Sequence, residues 1–218
     1  MKKALIPTII FSLLLITLSS CGGSKNKLAI VKPKLDKKPQ VENTSETTVE
    51  KKEPVILPIQ LKYANILNVD PTDLDNTSLY SFIDEWMGAP YLMGGEDMEG
   101  VDCSSFAQHL YVNVYGYLLE RTSGRQYDSE TTDKFLGQEF IEEGDLLFFK
   151  RPNVDDETIT HVGIYLKNNK FVSASGYSGP EKVRGVKISD LTDEWWQERF
   201  ICAGRKPLPI YKDNSSNN

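Results

Sequence analysis

All three Trp and all ten Tyr of this 218-residue chain lie after residue 60. A hydrophobic core draws heavily on such side chains, so a core can form only beyond that point. The stretch before it, Gly22 to Glu53, carries no aromatic residue and is dominated by Lys, Glu, Thr, Pro and Ser. Such a composition cannot bury enough apolar area to offset the entropy of ordering. It reads as a solvated tether, with eight Lys against five Asp and Glu. As a flexible coil it would span roughly 35 Å, and more where Pro and like charges stiffen it. A spacer that serves only solubility would look the same.

Ahead of the tether, Lys2 and Lys3 precede an apolar run of fifteen residues, Ala4 to Leu18, with Pro7 inside it. A membrane span needs about 20 residues, whereas a short apolar run behind a positive start fits a secretory signal. The run ends Leu18-Ser19-Ser20-Cys21-Gly22. This resembles the bacterial lipobox, whose cysteine receives diacylglycerol and becomes the mature N-terminus. The other reading is an ordinary signal peptide in which Cys21 is incidental. The expected organisation is a signal peptide over 1–20, a lipidated N-terminus and disordered tether over 21–59, one folded domain over 60–207, and a frayed tail over 208–218.

The chain has a formal charge of -6, which argues against a basic nucleic-acid binder. With the signal at +2 and the tether at +3, residues 54–218 carry -11. A domain that acidic is not built to lie flat on anionic lipid, so contact with a membrane falls to the anchor. Three cysteines are too few for a disulfide scaffold. Two histidines, His109 and His161, cannot furnish a three-His zinc site. No metal or cofactor is expected.

Within the domain, Leu79, Phe82, Ile83 and Trp86 recur at helical spacing over Ser78–Met87, and Gly88-Ala89-Pro90 stops the pattern. A second helix is predicted from Cys103 to about Leu119, with Phe106, Leu110, Val114 and Leu118 on one face and Asp102 as its N-cap. Beyond Gly144-Asp145 the period changes to short β-rich runs: LLFFK, HVGIYL and KFVSAS, then Lys187–Leu191 and Phe200–Ala203. Asn168-Asn169 between two of them predicts a hairpin. Helices followed by consecutive strands predict an α+β fold with helices packed on an antiparallel sheet.

Cys103 opens the second helix, where unpaired N–H groups and the macrodipole favour a thiolate. A nucleophilic thiolate needs an acid–base partner that titrates near neutrality, and histidine is the usual one. His161 opens the run HVGIYL. Alternation directs Val162, Ile164 and Leu166 to one face and His161, Gly163 and Tyr165 to the other, where the missing side chain of Gly163 leaves room for another chain or substrate. His109 lies six residues after Cys103, about 240° round the helix, and reads as surface or interface.

The stretches Trp86–Gly95, Gly100–Phe106, Arg121–Gln126, Glu143–Phe149, His161–Leu166, Phe171–Ser175 and Arg199–Arg205 together resemble the NlpC family of cell-wall cysteine peptidases, over residues 78–206. The resemblance implies a reduced papain-like fold. It implies that Cys103 is the nucleophile and His161 the general base and then acid. Tyr91 would line the site and, with the Cys103 N–H, hold the oxyanion. Asp102 and Ser104 would contact the peptide's amino end. Arg121, Ser123 and Gln126 would form a cleft wall, or serve structure alone. The sequence departs from the family pattern twice. Ser105 replaces a usual Gly, and Ser173 occupies the third catalytic position, most often His. A hydroxyl orients an imidazole more weakly than His, Asn or a carboxylate. It faces the same way as His161 only if the intervening hairpin has an odd-length loop or a bulge.

The function implied is a lipid-anchored peptidase of the bacterial cell envelope, facing the periplasm or cell exterior. It would hydrolyse peptidoglycan stem peptides, most often at a D-glutamyl–diamino acid bond, with cleavage of a D-Ala crosslink left open. Its partners would be peptidoglycan or muropeptides and a membrane reached through lipid on Cys21. It would bind no nucleic acid and act as a monomer. A catalytically impaired relative that binds wall peptides without cleaving them is the alternative, and another acyl transfer on the same fold is a second. A Cys103–Cys202 disulfide competes with a buried, inert Cys202.

Overall fold

The computed structural model describes residues 55–152, 156–177 and 183–207. The signal peptide, Cys21, the tether up to residue 54 and the tail from 208 lie outside the described residues.

Helix α1 covers Pro58–Leu67, so ordered structure starts ahead of the expected boundary at residue 60. Pro58 takes the first helical position, and the Gln60 side chain accepts the Leu57 N–H at 2.8 Å. Gln60, Tyr63, Ala64 and Leu67 are buried, at helical spacing. Asn68 closes the helix in the left-handed region, with φ 54°. A 3₁₀ turn over Pro71–Asp73 leads to α2, Thr77–Trp86, which is capped by the Asn76 side chain and buries Leu79, Tyr80, Phe82, Ile83 and Trp86.

A two-stranded hairpin, β1 Glu96–Asp97 and β2 Gly100–Val101, separates α2 from α3. Helix α3 is Cys103–Tyr115. It stops short of the expected Leu119 because Gly116 turns left-handed, with φ 64°, and caps the last carbonyls. Helix α4, Ser123–Asp128, follows, with the Thr122 hydroxyl accepting the Arg125 N–H.

Six antiparallel strands form the main sheet. They are β3 Asp133–Phe135, β4 Leu146–Lys150, β5 Ile159–Tyr165, β6 Lys170–Ser175, β7 Gly185–Asp190 and β8 Phe200–Arg205, in the spatial order β3-β8-β4-β5-β6-β7. A short helix α5, Glu194–Gln197, and a 3₁₀ turn at Gln138–Phe140 complete the described elements. The fold is α+β, as the order of sequence patterns predicts.

Both faces of the sheet are covered. Leu146, Phe148, Val162, Ile164, Val172 and Ala174 join the core formed with α1, α2 and α3. Leu147, Phe149, Phe171 and Ala203 face the other way, under Leu191 and Trp196. This decides between the two uses expected for the space beside Gly163. A Cβ there would lie 2.5 Å from the Phe171 ring, so the glycine makes room for a neighbouring side chain rather than for substrate.

Candidate active site

The site forms where the sheet opens. The β5–β6 ladder pairs Tyr165 with Phe171 and Ile164 with Val172, and goes no further. At their other edge β5 and β4 slip by one residue between His161 and Ile159, which leaves Thr160 as an extra residue. β4 and β8 slip at the same level, around Ile201. Bulges of this kind bend a strand and re-aim its side chains. Helix α3 packs against β5, and the Val162 amide favours the ionised form of the Cys103 sulfur.

Cys103 is the first residue of α3 and His161 the third of β5, and they are 6% and 7% exposed. His161 Nε2 lies 3.1 Å from the Ser173 hydroxyl, which is fully buried. The hairpin satisfies the parity condition. Leu166 N–H bonds the Lys170 carbonyl across an intervening loop of Lys167, Asn168 and Asn169, with both Asn left-handed. An odd loop sets residues 161 and 173 on the same face. With Nε2–H donating to Ser173, Nδ1 is left as the basic nitrogen of the ring.

Burial governs the protonation of the pair. It pushes the Cys103 thiol up to about 11; the Asp102 charge adds to the rise, while the amides of Val162, Ser104 and Cys103 itself oppose it. Burial, then the charges of Arg199 and Lys187, pull His161 down to about 3. The helix-start amides act on the thiol in the expected direction, but desolvation outweighs them. The resting pair is therefore a neutral thiol and a neutral imidazole, and not the preformed thiolate that the helix position suggested.

Tyr91 is half-buried in the loop ahead of β1, packed against Gly176, where a Cβ would come within 2.9 Å of its ring. Burial raises its hydroxyl pKa, and the charges of Cys103 and Asp102 raise it further.

Asp102 is the N-cap of α3 and accepts five hydrogen bonds. Oδ1 takes the Ser105 amide at 2.8 Å, the Ser104 hydroxyl at 2.9 Å and Arg121 Nη1 at 3.1 Å. Oδ2 takes Arg121 Nη2 at 2.9 Å and the Gly94 amide at 3.1 Å. Burial works against the charge, yet the bonds from Arg121, Ser105 and Ser104 hold the carboxyl below its usual range. Arg121 also reaches Ser104 Oγ at 3.2 Å and Glu96 at 2.9 Å. Arg121 and Ser104 thus belong to one network beneath the start of α3. Gln126 donates to the Ser104 and Glu120 carbonyls and supports it from below. Ser123 is buried at the start of α4 and joins none of these bonds.

His109 stands apart, bonded to the Glu96 carbonyl at 2.7 Å and in ring contact with Trp86. Cys103 and Cys202 are both free. Cys202 is buried in β8, and burial raises its thiol to about 11. Among the described residues no cluster of His, Cys, Asp and Glu could hold a metal ion, and no helix is long and apolar enough to cross a membrane.

Sequence reading missed what surrounds the imidazole. Trp196 stacks on it, with centroids 5.3 Å apart and planes at 28°, and Phe149 lies 5.8 Å away. Arg199 lies against both Trp195 and Trp196. A Trp pair followed three residues later by Arg, in an otherwise acidic and polar stretch, was the available signal.

Comparison with known proteins gives this geometry a family context. A family model described as the NlpC/P60 family matches residues 88–205. A probable endopeptidase NlpC homolog of Haemophilus influenzae is 33% identical over 132 residues, covering 61% of this chain and 63% of that protein. The murein DD-endopeptidase MepS/murein LD-carboxypeptidase of Escherichia coli is 34% identical over 121 residues, covering 56% and 57%. The chain thus spans about three fifths of the length of these relatives. The crystal structure of an NlpC/P60 family protein from Bacillus cereus superposes with a TM-score of 0.51 at 26% identity, covering 61% of this chain and 40% of that one.

Proposed function

The chain belongs to the NlpC/P60 family, and from that premise we propose that it is a lipid-anchored cysteine peptidase of the bacterial cell envelope that hydrolyses amide bonds in peptidoglycan stem peptides. The observation that carries the reading is Cys103 at the start of α3, its sulfur acted on by the amide of Val162, the residue that follows His161.

The Cys103 sulfur attacks the scissile carbonyl carbon as its proton passes to His161 Nδ1. The Cys103 backbone N–H and the Tyr91 hydroxyl receive the oxyanion. The imidazolium then protonates the leaving nitrogen as the C–N bond breaks, leaving a thioacyl enzyme. Water, deprotonated by His161, releases the acid and restores the thiol. Ser173 holds the imidazole through Nε2 during both halves.

We assign the scissile bond as D-glutamyl–diamino acid. One observation favours a second reading, the D-Ala crosslink. Both Asp102 oxygens are already engaged within the chain, so Asp102 is not left over to capture a free peptide amine. Incubating the full chain with defined monomeric and crosslinked muropeptides and reading product masses tests all of this. Products cut after D-glutamate support the first bond and separated crosslinks the second. Intact muropeptides that co-elute with the protein would mean a binding protein and overturn the peptidase reading.

A further inference from the structure

Arg199 joins α5 to β8 and is 8% exposed. Its Nε donates to the Lys150 carbonyl at 2.9 Å. The guanidinium carbon lies 5.0 Å from the Trp195 ring centroid and 5.2 Å from that of Trp196. Trp196, 2% exposed, stacks in turn on His161, whose far nitrogen bonds Ser173. Among the described residues no carboxylate pairs with Arg199, whereas Arg121 and Arg205 each form a fork with a buried Asp. A buried cation with no counter-charge among the described residues is costly to hold, and it lies against the ring that stacks on His161.

We propose that Arg199 is a positioning residue of this site: through Trp196 it holds the plane of the His161 imidazole, and its charge compensates the Cys103 thiolate as that forms. The inference rests on the assignment of Cys103 and His161 made above and deepens it. Ser173 is neutral and brings no charge to the pair. Among the described residues, the Asp102 charge opposes ionisation of Cys103, while the Cys103 charge favours the charged form of Arg199. The charges that act on His161 are Arg199 and Lys187, and both oppose its protonation. Arg199 therefore favours the thiolate and, by opposing protonation of His161, hastens onward transfer of the proton from Nδ1 to the leaving nitrogen. The proton moves from Sγ to Nδ1 to the amine, and no other reactant is needed.

The test follows the pH dependence of Cys103 alkylation by iodoacetamide in the full chain, located by peptide mass, alongside muropeptide hydrolysis. Arg199→Gln should slow alkylation at neutral pH about tenfold or more and shift its midpoint upward. It should lower kcat/KM by at least about tenfold with KM little changed. Arg199→Lys keeps the charge and should alkylate within about threefold of wild type. A folded Arg199→Gln with the wild-type alkylation profile overturns the proposal. So does an Arg199→Lys slowed as much as tenfold, which would make the role packing alone; this arm stands even if the Gln variant fails to fold. A wild type whose alkylation depends on Arg199 but which cleaves no muropeptide would instead overturn the peptidase reading and leave the role of Arg199 standing.

Discussion

The Ser173 hydroxyl lies 3.1 Å from His161 Nε2, at a level where β5 and β6 no longer pair. It is fully buried and has this imidazole as its hydrogen-bond partner. The hydrogen bond engages one ring nitrogen and leaves the other, Nδ1, for proton transfer in the proposed mechanism, although a hydroxyl cannot stabilise an imidazolium as a charged partner can.

Removing that hydroxyl should therefore cost little. Ser173→Ala is expected to lower kcat/KM about tenfold or less, since a neutral hydrogen bond contributes about 1 kcal/mol. Ser173→His, the residue common in the family, sets a larger side chain at a fully buried position opposite Lys187 on β7. Overpacking should cost about 1–3 kcal/mol. A thermal melt that left this variant as stable as wild type would contradict the packing.

The reacting residues should separate cleanly from their neighbours. Cys103→Ala and His161→Ala should each abolish turnover, while His109→Ala stays within about threefold of wild type. Muropeptide hydrolysis that survives Cys103→Ala would overturn the nucleophile assignment.

The buried neutral pair also predicts a pH window. A His161 pKa lowered to about 3 means that the unfolded chain binds a proton which the folded chain refuses. Stability is complete above the unfolded value of 6.5 and falls as pH drops toward 3, by roughly 1.4 kcal/mol per unit from this one group. The Cys103 thiol, raised to about 11, acts at the other end and removes stability between pH 9 and 11. Urea midpoints measured from pH 4 to 10 should form a plateau between about 6.5 and 9, and His161→Phe should flatten the acid side. An unchanged acid slope in that variant would refute the assignment.

The Asp102–Arg121 fork supports the helix start that carries Cys103. Arg121→Gln should destabilise the chain by about 1–3 kcal/mol, because it strips two of five bonds from a nearly buried carboxylate. A change of only a few tenths in urea unfolding would mean that solvent replaces the guanidinium at no cost.

Lipidation at Cys21 is tested by detergent phase partitioning. Wild type should enter the detergent phase and Cys21→Ser should not; equal partitioning into water would refute the lipobox reading.

The sequence alone determined what contiguous residues control. Periodicity and caps marked α2 and the start of α3, so Asp102 could be read as the N-cap that sets Cys103 in the first turn. The Asn168-Asn169 turn marked the hairpin that joins His161's strand to Ser173's. Helix α1 escaped because it begins beside a Pro- and Lys-rich stretch with no conventional capping residue. Only the tertiary structure decided the protonation of the pair. A helix-start cysteine reads as a thiolate, but packing buries Cys103 and His161 so fully that both rest neutral. Packing also brought Trp196, remote in sequence, onto the imidazole and Arg199 onto Trp196, and closed Asp102 with an arginine nineteen residues away. Desolvation and charge depend on what distant segments stack around an atom, and no local pattern carries that information.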